Sequence, residues 1–175
     1  YLANVVRDLR GHVAKPRSML INMSRFVKVQ SVIKEYVDEI QDNFIRTIKY
    51  NFDEDGSKNV HLSLFQELKQ LWDKHFNNVT DINFADIVKK KNLLGAVYDI
   101  ERDIPKMNII VVNGNSASKL DYKSNPSLRV IAIGGLALSR GLTLEGLLVS
   151  YFYRNTATFD VLMQMGRWFG YRPHY

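Results

Sequence analysis

The 175-residue chain contains no cysteine, which excludes disulfide scaffolds, thiolate nucleophiles and cysteine-ligated zinc. A reducing cytosol is compatible with that absence. No apolar run approaches the roughly 20 residues that a membrane-spanning helix needs, and the start, YLANVVRDLRGH, is neither an initiator methionine nor a signal peptide. A cytoplasmic piece of a larger protein, with no membrane partner, is expected. The sequence also lacks a G-x-x-x-x-G-K-[ST] phosphate loop and an acidic pair at a strand end, so it does not hold magnesium-bound ATP by itself. His12, His61, His75 and His174 are scattered without ligand spacing, and no protein-held metal is expected. Neither an internal repeat nor a base-reading signature is present.

What remains is a chain with 46% hydrophobic residues, enough for one substantial core. Lys and Arg number 24 against 18 Asp and Glu, and the net charge of +6 favours an anionic partner without naming it.

Along the chain, Leu2, Val5, Val6, Leu9 and Val13 recur at helical intervals until Gly11 weakens or ends the helix. Met19 to Met23 form a compact apolar run suited to a strand buried on both faces. Ser24 is placed to cap a following helix whose apolar positions are Phe26, Val29, Val32, Ile33, Tyr36, Val37 and Ile40. From about 44 to 105 the texture changes to a mostly helical insertion, with LSLFQELKQLWDKHF as one helix and TDINFADIVKKKNLL as a capped helix with a basic end. The parallel-strand texture returns in MNIIVVNG, LRVIAIGG and LLVSYFYR, and ATFDVLMQMGRWF has helical spacing. Strands joined by helices or crossover-length connections imply an α/β fold with a mainly parallel sheet covered on both faces.

In such a sheet, ligands meet the loops beyond the carboxyl ends of the strands. The turns INMSR, VNGNS, GGLALSRG and YFYRNT are therefore expected along one edge. Gly134 and Gly135 allow close backbone approach to a phosphate, or they simply make a turn. Arg167 and Arg172 keep their charge at neutral pH and present planar forks to phosphate oxygens, or they cap a helix beside core aromatics.

The order INMS, IIVVNGNS, RVIAIGGLALSRGLTLEG, LLVSYF, QMGRWFGYR resembles the second RecA-like lobe of superfamily-two helicases and translocases. More narrowly, GGLALSRGLTLEGLLVSYFYRN and LMQMGRWFGYR are similar to the Z-one domain of endonuclease-type proteins, which lies beside a helicase-type ATPase lobe in bacterial restriction and defence systems. The resemblance implies a three-layer RecA-like sheet over residues 18–175, preceded by a lead-in helix at 1–17 and interrupted by the insertion. It matches Arg167 and Arg172 to the arginine fingers of motif six, and Gln164 to the glutamine that opens that motif. Gly141, Thr143 and Glu145 fall where the family touches the nucleotide, while Ser139 and Arg140 fall in the motif-five core. Asn22, Ser24, Asn113, Asn115, Gly134 and Gly135 would meet the nucleic-acid backbone along the same rim. ATP and Mg²⁺ would be held mainly by a first lobe of the same parent protein, and the polymer is expected to be DNA. The chain departs from the helicase pattern at Gly134 and Gly135, which replace a Thr-Asp pair, and at Thr143, which replaces an Asp.

Two rival readings exist. Asp55 with Glu67 and Lys69 superficially fits a metal-dependent nuclease, although their segment has helical spacing. The basic run Val88 to Asn92 would suit a non-catalytic module that binds nucleic acid or protein, or a solvated helix end.

Overall fold

A computed structural model describes residues 1–56, 58–78, 80–112, 120–135 and 144–153. The element order is α1 (Leu2–Leu9), β1 (Arg17–Asn22), α2 (Val27–Asn51), a 3₁₀ turn (Asn59–His61), α3 (Ser63–His75), α4 (Phe84–Ile87), α5 (Lys90–Val97), β2 (Tyr98–Asp99), β3 (Ile104–Pro105), β4 (Met107–Val112), β5 (Arg129–Gly134) and β6 (Leu147–Phe152). The chain divides into two compact units, one of residues 1–13 and 39–106, the other of 14–38 and 107–175.

The first unit is mostly helical and carries a large apolar core. Helix α1 ends in a Schellman motif: Gly11, at φ 77°, donates to the Asp8 carbonyl over 2.9 Å and His12 donates to that of Arg7 over 2.9 Å. Val13 therefore lies beyond the helix and is exposed. Leu2, Val5 and Val6 of α1 are buried with Phe44, Ile45, Ile48 and Phe52, whose spacing carries α2 on to Asn51, well past the polar change near Asn43. Trp72 on α3 stacks on Phe76 at a centroid distance of 5.5 Å and lies 5.9 Å from Phe84.

The segment expected as one capped helix with a basic end is two helices. Gly56 is the cause: a Cβ there would meet the Val88 carbonyl oxygen at 2.9 Å, and the Lys90 N–H donates to the Glu54 carbonyl over 3.3 Å. This tight approach holds Lys89 extended, so the lysines begin α5 instead of ending a helix. Strands β2 and β3 form a short antiparallel hairpin that the sequence did not announce.

The second unit is a four-strand sheet in the order β4-β5-β1-β6, parallel at every pairing. The α/β class and the mainly parallel sheet expected from the sequence are what the structure shows, in a layout consistent with a RecA-like one. Leu20, Ala132 and Val112 share one face and pack with Leu144, Ile110, Leu120 and Leu147. Ile21, Ile131, Ile133 and Ile109 are buried on the other face. Of the apolar positions expected to face inward on α2, Phe26, Val29, Val32, Tyr36 and Ile40 are exposed. Their periodicity made the helix legible, but no described residue covers that stripe.

Candidate functional site

Parallel register sets Val112, Gly134, Asn22 and Phe152 abreast, so the carboxyl ends of all four strands form one edge. The connections that begin at residues 23, 113, 135 and 153 leave from there, as the sequence pattern expected. Asn22 stands at the end of the inner strand β1 with none of its surface exposed, and among the described residues neither its carboxamide nitrogen nor its oxygen has a hydrogen-bond partner. Its backbone carbonyl accepts the Tyr153 N–H over 3.0 Å. A buried amide with unsatisfied donor and acceptor costs about 1–3 kcal/mol. Such a group suits a ligand that both donates and accepts.

Ser24 does not cap α2, because the helix begins only at Val27. Its hydroxyl accepts the Phe26 N–H over 3.1 Å and closes the preceding turn. Its carbonyl accepts Gln30 Nε2 over 2.7 Å. Gly135 fits against the same turn: a Cβ would lie 2.6 Å from the Ser24 carbonyl oxygen and 3.0 Å from the Arg25 Cα. Glycine is needed at 135 so that two of the rim loops can touch.

Glu145 is not brought to this edge. It precedes β6, at the opposite end of the strands, and its carbonyl accepts the Ser18 hydroxyl over 2.7 Å. Since that bond uses the only Ser18 hydroxyl hydrogen, Tyr122 donates to Ser18 across 2.9 Å. Burial pushes the Tyr122 phenol up from its ordinary pKa and keeps it protonated for this role. Asn113, Asn115, Ser139, Arg140, Gly141, Thr143, Gln164, Arg167 and Arg172 lie outside the described residues.

The nuclease arrangement does not assemble. Glu67 and Lys69 lie on α3, two positions apart and so on different faces, and Lys69 pairs with Asp73 at 2.6 Å. Among the described residues no cluster of three or more His, Asp or Glu could hold a metal, so these residues do not fit a magnesium ion. The basic run is partly neutralised, with Lys89 held by Asp86 at 2.7 Å and Lys90 within 3.6 Å of Glu54.

The fold and this edge define an α/β domain whose parallel strands end together on one edge. The family model of the Z1 domain matches residues 1–175, and the chain belongs to that family. Comparison with curated proteins and with solved structures finds no match. No helix among the described residues is long and apolar enough to cross a membrane.

The unsatisfied amide yields a test. Asn22→Leu, close in shape, is expected to stabilise the fold by about 1–3 kcal/mol in urea unfolding. A loss of stability would mean that the amide already has a partner.

Proposed function

We propose that this Z1 domain is the second lobe of a nucleic-acid-dependent ATPase of a bacterial restriction or defence endonuclease system. In this reading a first lobe carried elsewhere holds ATP and Mg²⁺. Arg167 and Arg172 bring permanent positive charge to the phosphates, and Gln164 orients the facing groups. The Asn22 edge, with Asn113, Asn115, Ser139 and Arg140, grips the polymer backbone, for which DNA is the expected form.

The supporting observation is the shared carboxyl edge, which carries a buried Asn22 amide without a hydrogen-bond partner among the described residues and Gly135 seated on the Ser24 turn. The chain's own contribution is positioning and charge. An arginine supplied from a facing lobe is worth about 1,000-fold or more in rate.

The test is ATP turnover by a protein carrying both lobes, with and without DNA, comparing the native sequence with Arg167→Ala. Turnover should fall by about two or more orders of magnitude while nucleotide binding persists. Unchanged turnover would reject the arginine-finger role. Polynucleotide binding without any turnover would leave a non-catalytic binding module.

A further inference from the structure

We infer that the rim carries a stacking platform for single-stranded nucleic acid, built from Phe26 and Tyr153 and flanked by Arg25 and Lys28. This deepens the nucleic-acid reading above and rests on it.

Two large aromatic residues stand in water at the carboxyl edge, Phe26 with 60% of its surface exposed and Tyr153 with 71%. Both are tied to the end of β1. Phe26 follows Asn22 by four residues and its N–H is held by the Ser24 hydroxyl, while the Tyr153 N–H is held by the Asn22 carbonyl. The backbone that carries each ring is therefore anchored although the rings are exposed. The Arg25 guanidinium lies 5.0 Å from the Phe26 ring centroid, and Arg25 and Lys28 are both exposed. No acidic residue occupies the first turn of α2.

Exposed rings interleaved with cations match the two surfaces of a single strand. Every base offers a π-face to an aromatic ring, and each phosphate offers a charge to Arg or Lys. In a duplex the base faces are already stacked, so this chemistry selects unpaired strands. A protein partner would also cover the rings, but Arg25 against the Phe26 ring and the exposed Lys28 two residues further on favour a polyanion.

The experiment is equilibrium binding of a fluorescein-labelled oligothymidylate of about 20 nucleotides to the 175-residue chain, against a duplex of equal length, over a salt series. The single strand should bind more tightly. Phe26→Ala and Tyr153→Ala should each weaken it by about tenfold to a hundredfold without changing the melting temperature, and Phe26→Trp should restore binding. Arg25→Ala and Lys28→Ala should each lower the salt slope by about 0.7. Iodouracil crosslinks should map to Phe26 or Tyr153.

If the native chain binds the strand and both aromatic variants bind it equally well, the platform is wrong and the backbone-grip reading survives. If the native chain binds no oligonucleotide even at low salt, both fall. Concentration-dependent self-association that is lost in Phe26→Ala, with strand affinity unchanged, would assign the rings to protein contact and overturn the proposal.

Discussion

Gly146→Ala is expected to destabilise the sheet unit by about 3–5 kcal/mol in urea unfolding, at the upper end of single-residue effects. Gly146 has φ 65°, and an added Cβ would lie 2.6 Å from the Pro16 carbonyl carbon and 3.2 Å from the Arg17 nitrogen. Those atoms are backbone and cannot rotate away. The left-handed conformation alone costs an alanine about 1–2 kcal/mol, and the clash adds to it by forcing β6 away from β1. Retreat would also break the bond from the Ser18 N–H to the Gly146 carbonyl, 2.9 Å long, on which the first strand pairing depends. Gly11→Ala separates the two causes, since Gly11 has φ 77° but an added Cβ there would meet nothing within 4 Å. Its expected cost is only the conformational one. Equal losses in the two variants would refute the close approach at Pro16. Because Tyr153 is anchored to Asn22 just beyond β6, Gly146→Ala should also weaken single-strand binding.

Trp72→Ala should cost the helical unit about 3–5 kcal/mol, while Trp72→Phe should cost less than half of that. Trp72 is only 3% exposed and sits between Phe76 and Phe84, with Leu68 one turn earlier in the same core. Truncation removes stacking on two rings and leaves a cavity that the short helix α4 has few means to fill. Urea unfolding followed by far-ultraviolet circular dichroism measures both variants. A loss of about 1 kcal/mol or less for the alanine variant would mean that the cluster repacks and that its aromatic pairs add little.

Strands β1, β4 and β5 were legible because largely buried parallel strands read as short aliphatic runs, as in Met19 to Asn22, Met107 to Val112 and Arg129 to Gly134, while the more exposed β6 showed as the apolar segment Leu147 to Phe152. Their alternation with helical segments also located the carboxyl edge. The break between α4 and α5 was not legible, since it is imposed by a contact between Gly56 and Val88, distant in sequence. The β2–β3 hairpin was missed because two-residue strands carry no periodic signal. Helix α2 shows the limit of periodicity: spacing revealed an apolar stripe but not whether anything covers it. At the site, Asn22, which the family resemblance sets against the nucleic-acid backbone, does end β1 at the carboxyl edge, whereas Glu145, which it sets against the nucleotide, lies before β6 at the far end of the strands. Arg25 and Tyr153 were expected at this edge only as members of the turns INMSR and YFYRNT, and Phe26 only as an inward helix position, because a ring beside a cation is ordinary in sequence and becomes suggestive only at an exposed edge.

The pairing of β1 bears on how the chain reaches its native state. Arg17 pairs with Arg129 and Ser18 with Leu147, so both neighbours of β1 come from more than a hundred residues downstream. Closure over such a span is slow relative to local helix formation. A ribosome adding about 5–20 residues per second takes roughly 6–22 s between Asn22 and Gly134, where the first neighbour strand β5 is complete. During that interval Leu20 and Ile21, buried in the finished sheet, have no strand beside them, which makes the nascent chain a natural client for chaperones that shield apolar segments.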